Sequence, residues 1–277
     1  GATKMEELIT LNEEELKNIY LDKGVVYHVW GPTYGNIVFP KDETPIKRFE
    51  NGEARDIKFI FGSTADENRI YMTEGPMYNL KELKIYAKDR FDRSISTILE
   101  GERQPIYDYL KICRNHEDDA LAKIELVNDI LYRVTSVKNA EAQSKYNDSY
   151  LYYWSYPSSF IDIGAPHSIE HIFVFNLPPN PSSLYNGTNT NPIIYQSIQD
   201  MWTKFVKNGN PSTKTIKWPK FNINKLPTMI IGGPEKEGPN SIHVEENWMK
   251  QQTESAYPLL KYQIFAINDY DSGLPGI

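Results

Sequence analysis

The stretch "GAPHSIEHIF", Gly164 to Phe173, holds two histidines and a glutamate in the order H-x-x-E-H. Its reading decides the fold. On a helix, His167 and His171 would share one face and form half of a zinc site, with Glu170 as a general base. On a loop after a strand, one histidine would act alone as a base whose carboxylate partner lies elsewhere. The third reading gives both histidines a purely structural role. Gly164, Ala165 and Pro166 stand immediately before His167, which favours a loop or at most a helix start. "IFVF" follows His171 and extends no polar helix face. The loop reading therefore takes precedence over zinc.

That reading needs a strand upstream. "SYLYYWSY", Ser149 to Tyr156, is the strongest strand signal in the chain, rich in aromatic residues. It also needs a carboxylate, and "FIFGSTADENRIYM" offers Glu67 just past a second apolar run, "IKFIFG", Ile57 to Gly62. "ADEN" reads as a turn or a helix entry. In α/β-hydrolases the catalytic groups lie on loops at the carboxyl ends of strands, in the chain order Ser, Asp/Glu, His. Glu67 and His167 obey that order, and the serine would have to precede Glu67. No G-x-S-x-G elbow occurs. The nearest match, Gly31-Pro32-Thr33-Tyr34-Gly35, has threonine at its centre and "NIVFP" after it. Gly232-Gly233 is simpler as a turn than as an oxyanion hole.

The rest of the chain reads as helices between short strands. Helices are expected over about 4–20, with Thr3 and Glu6 as a capping box, and over 79–90 and 94–112, with a break near Gly101 or Pro105. A long helix is expected over about 117–135, capped by Asn115, with Leu121, Ile124, Val127, Leu131 and Val134 on one face. Residues 192–208 are the best punctuated: Asn191 at the cap, Pro192 in the first turn, Gly209 and Pro211 at the end. Ile194, Ile198, Met201, Trp202 and Phe205 make its buried stripe. "TMIIGG" and "SIHV" are weak strands. Strands separated by long helical stretches imply an α/β layer architecture, but too few strands are visible to complete a doubly wound sheet.

Composition agrees with a globular chain: 277 residues, 40% hydrophobic and 13% aromatic. Lys+Arg 30 against Asp+Glu 37 leaves a net charge of -7, and no basic block is present, so nucleic acid is not an expected partner. No apolar run reaches the roughly 20 residues of a membrane span. Cys113 is the single cysteine. It makes no intrachain disulfide, and reads as a buried or idle thiol or as a bridge to another chain. Sequons at Asn147 and Asn186 point mildly to a secreted glycoprotein. "GATKMEELI" has no apolar core of a signal peptide.

Five segments in order resemble the C-terminal half of the type-B carboxylesterase and cholinesterase family. "WGPTYGNIVFP" is similar to its "fGPvvDGxxxP", "FGSTADENRIYM" to "xGxxxDEGxxF", and "SYLYYWSYPSS" to the strand before the histidine. "GAPHSIEHIFVF" resembles "GxxHGxELxYxF", and "MWTKFVKNGNPSTKTIKWPKF" resembles "xWtxFaktGxPnxxxxWPxY". The resemblance implies that Glu67 is the acid and His167 the base of a Ser-Glu-His triad, with Glu170 a buried structural partner and His171 without a role. It implies the C-terminal half of a single α/β-hydrolase domain over 1–277: a mostly parallel sheet flanked by helices, acting on small-molecule esters without metal or organic cofactor. The family's first half, with the nucleophile elbow and oxyanion-hole glycines, has no counterpart here. The expectation is a split or processed esterase completed by an N-terminal chain. A serine-less adhesion, binding or storage protein of the same family is the alternative. The chain departs from the family at Asn68 and Ser168, where the family has glycine, and at Gly35 and Asn36. Asn68 is expected to adopt the left-handed turn that glycine would.

Overall fold

In a computed structural model of the chain, residues 10–15, 44–71, 80–96, 98, 100–158, 161–178, 191–232 and 241–262 are described. The chain divides into a unit of residues 1–42 with 267–277 and a unit of residues 43–266. In the first, residues 12–15 form a capping box: Asn12 N–H donates to Glu15 Oε2 at 2.8 Å and Glu15 N–H to Asn12 Oδ1 at 3.0 Å. The expected pair Thr3 and Glu6, Gly35, Asn36 and Asn186 lie outside the described residues.

In the larger unit, four strands form one sheet in the order β1 (Phe59–Thr64), β2 (Ser149–Trp154), β3 (Thr228–Gly232), β4 (Ser241–Glu245). β1, β2 and β3 run parallel and β4 antiparallel to β3. Parallel neighbours need long crossovers, and the chain fills each with helices. Before β1 stands α1 (Pro45–Glu50). Between β1 and β2 come α2 (Leu80–Ser96), α3 (Gln104–Leu110), α4 (Asp119–Asn128) and α5 (Val134–Ser144). Between β2 and β3 come α6 (Glu170–Val174) and α7 (Pro192–Asn208), and α8 (Lys250–Ala256) follows β4.

β2 is central, and its alternating side chains serve both faces. Leu151 packs in one core cluster with Val137 and Ala140 of α5. On the other face Tyr150, Tyr152 and Trp154 meet α6 and α7: Tyr152 lies edge-on to Trp202 at 5.7 Å, Tyr150 to Phe205 at 5.9 Å, and Trp154 contacts Phe173 at 4.9 Å. Helices therefore cover both faces, as expected for an α/β layer fold.

α7 forms as its punctuation requires. Asn191 Oδ1 accepts from Ile193 N at 2.9 Å, Pro192 follows, and Gly209 ends the helix with φ 67°. Ile194, Ile198 and Met201 are fully buried. The helices between β1 and β2 differ from the sequence expectation. α2 continues to Ser96, and Pro105 lies in the first turn of α3, where a residue without an N–H is harmless. Asp118 caps α4, its carboxylate accepting from Leu121 N at 3.1 Å; Asn115 instead donates its backbone and side-chain N–H groups to Glu125. Helical structure continues past residue 135 to Ser144, through a π-helical turn at Asp129–Arg133. That turn adds a residue, so a 3.6-residue stripe drawn through it loses register. A buried network holds the turn: Arg133 Nε donates to Asp129 Oδ1 at 2.7 Å, and Tyr109 OH and Gln252 Nε2 donate to Asp129 Oδ2 at 2.6 and 2.8 Å.

Cys113 is buried beside α3, and burial pushes its thiol up to about 12, so it holds no reactive thiolate. At the first sequon, Asn147 Nδ2 donates to Arg55 O at 2.9 Å and Ser149 Oγ to Ala140 O at 2.9 Å.

Truncating Ile198 to Ala is expected to destabilise the protein by about 2–5 kcal/mol through an unfilled cavity. Asn191→Ala costs about 1 kcal/mol through the lost cap. Denaturant midpoints of the two variants against wild type check both figures and their order.

Candidate active site

Parallel pairing puts the carboxyl ends of β1 and β2 side by side, with Thr64 opposite Trp154. The ladder runs one step further, Ala65 N donating to Trp154 O at 2.8 Å. The chain then turns at Ala65-Asp66 into a 3₁₀ turn, Glu67–Tyr71. After β2 it runs through a second 3₁₀ turn, Ile161–Ile163, to Gly164, and then reaches His167. The two loops meet although 100 residues separate them: His167 Nδ1 lies 2.6 Å from Glu67 Oε2.

The Glu67 carboxylate is almost wholly buried, with 5% of its side chain exposed, while the His167 side chain keeps 37%. Oε1 of Glu67 accepts from Thr64 N at 2.7 Å, so each oxygen has a donor. A carboxylate can only accept, so in the neutral imidazole Nδ1 of His167 carries the proton and Nε2 the lone pair. This is the tautomer a general base needs. Burial lowers the affinity of His167 for a second proton, but the hydrogen bond and charge of Glu67, and then the charge of Glu170, outweigh it. The imidazole titrates above 6.5. A raised folded-state value means that this group's stabilisation is complete below about pH 6.5 and is lost as pH rises through the raised value. The neutral base is formed over the same interval. Tyr132, carried by the π-helical turn, packs its ring 5.3 Å from the imidazole.

Glu170 sits behind the pair at the start of α6. Tyr152 OH donates to its Oε1 at 3.2 Å, while Oε2 is buried without a partner among the described residues. Burial first, and then the charge of Glu67 among the opposing influences, raises its pKa above 4.5. The zinc arrangement does not form: α6 begins at Glu170, so His167 lies outside the helix that carries His171, and its Nδ1 is committed to Glu67. His171 packs against Phe175 at 6.0 Å. Among the described residues no group of three His, Cys, Asp or Glu could hold a metal.

The two departures from glycine behave differently. Ser168 has φ 66°, the left-handed backbone for which glycine is suited, and bears the strain of a side chain there. Asn68 corrects the sequence expectation. It is not among the residues with positive φ; it is fully buried, and its N–H and Nδ2 donate to Asn128 Oδ1 at 2.9 and 2.8 Å. A side chain was needed there to fix the acid turn to α4. Three further contacts escaped the sequence reading: Asn128 to Asn68, Tyr152 to Glu170, and Tyr132 to His167. Each joins residues at least 18 positions apart, beyond any local pattern.

A mostly parallel sheet covered by helices, with a glutamate and a histidine in contact on adjacent loops at strand carboxyl ends, is the C-terminal half of an α/β-hydrolase fold. The chain belongs to the carboxylesterase family, whose profile matches residues 2–254. The para-nitrobenzyl esterase of Bacillus subtilis is 24% identical over 192 residues, 68% of this chain and 37% of its own length. Among solved structures, a PNB esterase superposes with TM-score 0.64 at 22% identity, covering 92% of this chain and 50% of its own. A carboxylesterase of Geobacillus stearothermophilus gives 0.65 at 20%, covering 92% and 51%. The chain thus spans about half the length of the solved relatives and less of the curated one.

Glu67→Gln removes the largest upward influence on His167, so its imidazole is expected to titrate at lower pH than in the wild type. NMR of labelled histidine checks the direction. Glu170→Gln keeps an acceptor for Tyr152 without a buried charge. It is expected to stabilise the protein near neutral pH and to lose that advantage below about pH 4.5, where the glutamate itself is protonated; melting temperatures at the two pH values test this.

Proposed function

We propose that this chain supplies the acid, Glu67, and the base, His167, of a serine carboxylic ester hydrolase. The nucleophile and the oxyanion-hole amides stand on an N-terminal esterase chain. The observation that carries the reading is the 2.6 Å contact between His167 Nδ1 and a buried Glu67 carboxylate, with the rest of the imidazole half-exposed. Membership of the carboxylesterase family supports the reaction class. One further observation supports an N-terminal chain. β1 is the outer strand of the described sheet, with no described strand on its far side.

In this mechanism the serine hydroxyl of the N-terminal chain attacks the ester carbonyl while Nε2 of His167 takes its proton. Glu67 holds the Nδ1–H and stabilises the imidazolium. Collapse of the tetrahedral intermediate expels the alcohol, which receives the proton from Nε2, and leaves an acyl-serine. Water, deprotonated by the same nitrogen, releases the carboxylic acid and restores the serine. Amides of the partner chain bind the oxyanion, with a contribution of about 3–4 kcal/mol per donor. Uncharged small esters, of the kind the para-nitrobenzyl esterase is named for, are the proposed substrates. These steps need no metal or organic cofactor.

The test is hydrolysis of a p-nitrophenyl ester by the intact assembly, together with labelling by a fluorophosphonate. Turnover and a labelled serine in wild type, with turnover abolished in His167→Ala and the fold retained, are expected. Full turnover in His167→Ala contradicts the assignment. Absence of both label and turnover in wild type points instead to a non-catalytic adhesion, binding or storage role.

A further inference from the structure

The residue before the acid carries a second carboxylate that the proposed chemistry does not use. Asp66 is buried, and its interactions run across to the other loop. Its N–H donates to Ala165 O at 2.9 Å, and its Oδ2 accepts from Ala165 N at 2.9 Å. One residue thus satisfies both backbone groups of Ala165. Its Oδ1 pairs with Arg69 Nη2 at 2.9 Å and lies 3.6 Å from Arg114 Nη2. Arg69 Nη1 in turn donates to Asp162 O at 3.3 Å. The histidine loop is therefore held at Asp162 and Ala165 by an ion pair rooted in the acid turn.

We propose that Asp66 is a positioning residue for the base: its grip on Ala165 sets where His167 stands relative to Glu67. The inference rests on the functional reading above and adds a residue to it.

Two features transmit the grip. Pro166 is the only residue between Ala165 and His167. Its ring fixes its own φ and restricts the residue before it, so the orientation of Ala165 carries forward. Gly164 makes room for the carboxylate: a Cβ there would stand 2.1 Å from Asp66 Oδ2, on a backbone with φ 65°. The contact from His167 N to Glu67 O is long, 3.4 Å, so the backbone at the histidine itself is a weak anchor. The strong anchor is two residues earlier, where a charged acceptor meets a buried amide. The charges that raise the His167 titration are those of Glu67 and Glu170, and Asp66 is not among them, so its proposed influence is exerted through position.

The experiment uses the intact assembly with histidine labelled at Cε1 and compares four variants. Asp66→Ala is expected to move the His167 titration down toward that of a free imidazole. It lowers kcat on the order of ten- to a hundredfold, with KM changed by less than about twofold. Gly164→Ala, which displaces the same carboxylate from the opposite side, gives the same pattern and serves if Asp66→Ala does not fold. Asp66→Asn keeps an oxygen for Ala165 N–H and falls between. Phe221→Ala, in a separate core cluster with Val137 and Leu151, lowers the melting temperature and leaves the His167 titration alone. If Asp66→Ala and Gly164→Ala lower only the melting temperature, with the His167 titration and kcat as in wild type, the positioning role is overturned. If wild type hydrolyses no ester, the functional reading fails, and the titration alone decides the role of Asp66.

Discussion

The parallel pairing of β1 with β2 is the constraint on which the rest depends. Parallel neighbours end on the same side of a sheet, so whatever follows Thr64 must come close to whatever follows Trp154. Glu67 comes three residues after the first strand and His167 thirteen after the second, yet both land at one edge. An antiparallel pairing of the same strands would place them at opposite ends. The helices between the two strands serve as the crossover that parallel pairing demands, and the aromatic face of β2 against α7 holds the central strand in place.

The chemistry of the pair follows from unequal exposure. A carboxylate buried to the extent of Glu67 needs a donor for each oxygen, and Thr64 N and His167 Nδ1 supply them. The imidazole, half-exposed, can exchange a proton with something outside. Burial alone would lower its proton affinity; the adjacent carboxylates reverse the sign. Around this pair the structure places fixed contacts on several sides: Asn128 under the acid turn, Asp66 across to Ala165, and Tyr132 against the ring.

The legible parts of the sequence were those written locally. α7 is fixed by Asn191, Pro192 and Gly209, each acting within one turn, and its expected bounds match those observed. β2 declares itself by composition, and β1 is found two residues later than expected, because Ile57 and Lys58 precede the ladder. Chain order and family motif single out Glu67 and His167, and no local pattern could have shown their contact. What sequence missed was set by distance. Asn115 looked like a cap because it precedes a helix, but Glu125, ten residues on, claims its donors. Asn68 looked like a glycine substitute because its partner is 60 residues away. The π-helical turn arises from a buried network reaching to Gln252, which no periodicity in residues 119–144 encodes.

The central claim is that His167 is a base serving a nucleophile carried by another polypeptide. A crystal structure of the intact assembly after reaction with an organophosphonate tests it most directly. The account predicts phosphorus bonded to a serine oxygen that lies within about 3 Å of His167 Nε2, the reach of a catalytic hydrogen bond, with the Glu67 contact intact on the other side of the ring. A phosphonate on a serine beyond hydrogen-bond reach of that nitrogen, or a His167 ring turned away from Glu67 in the adduct, would contradict it.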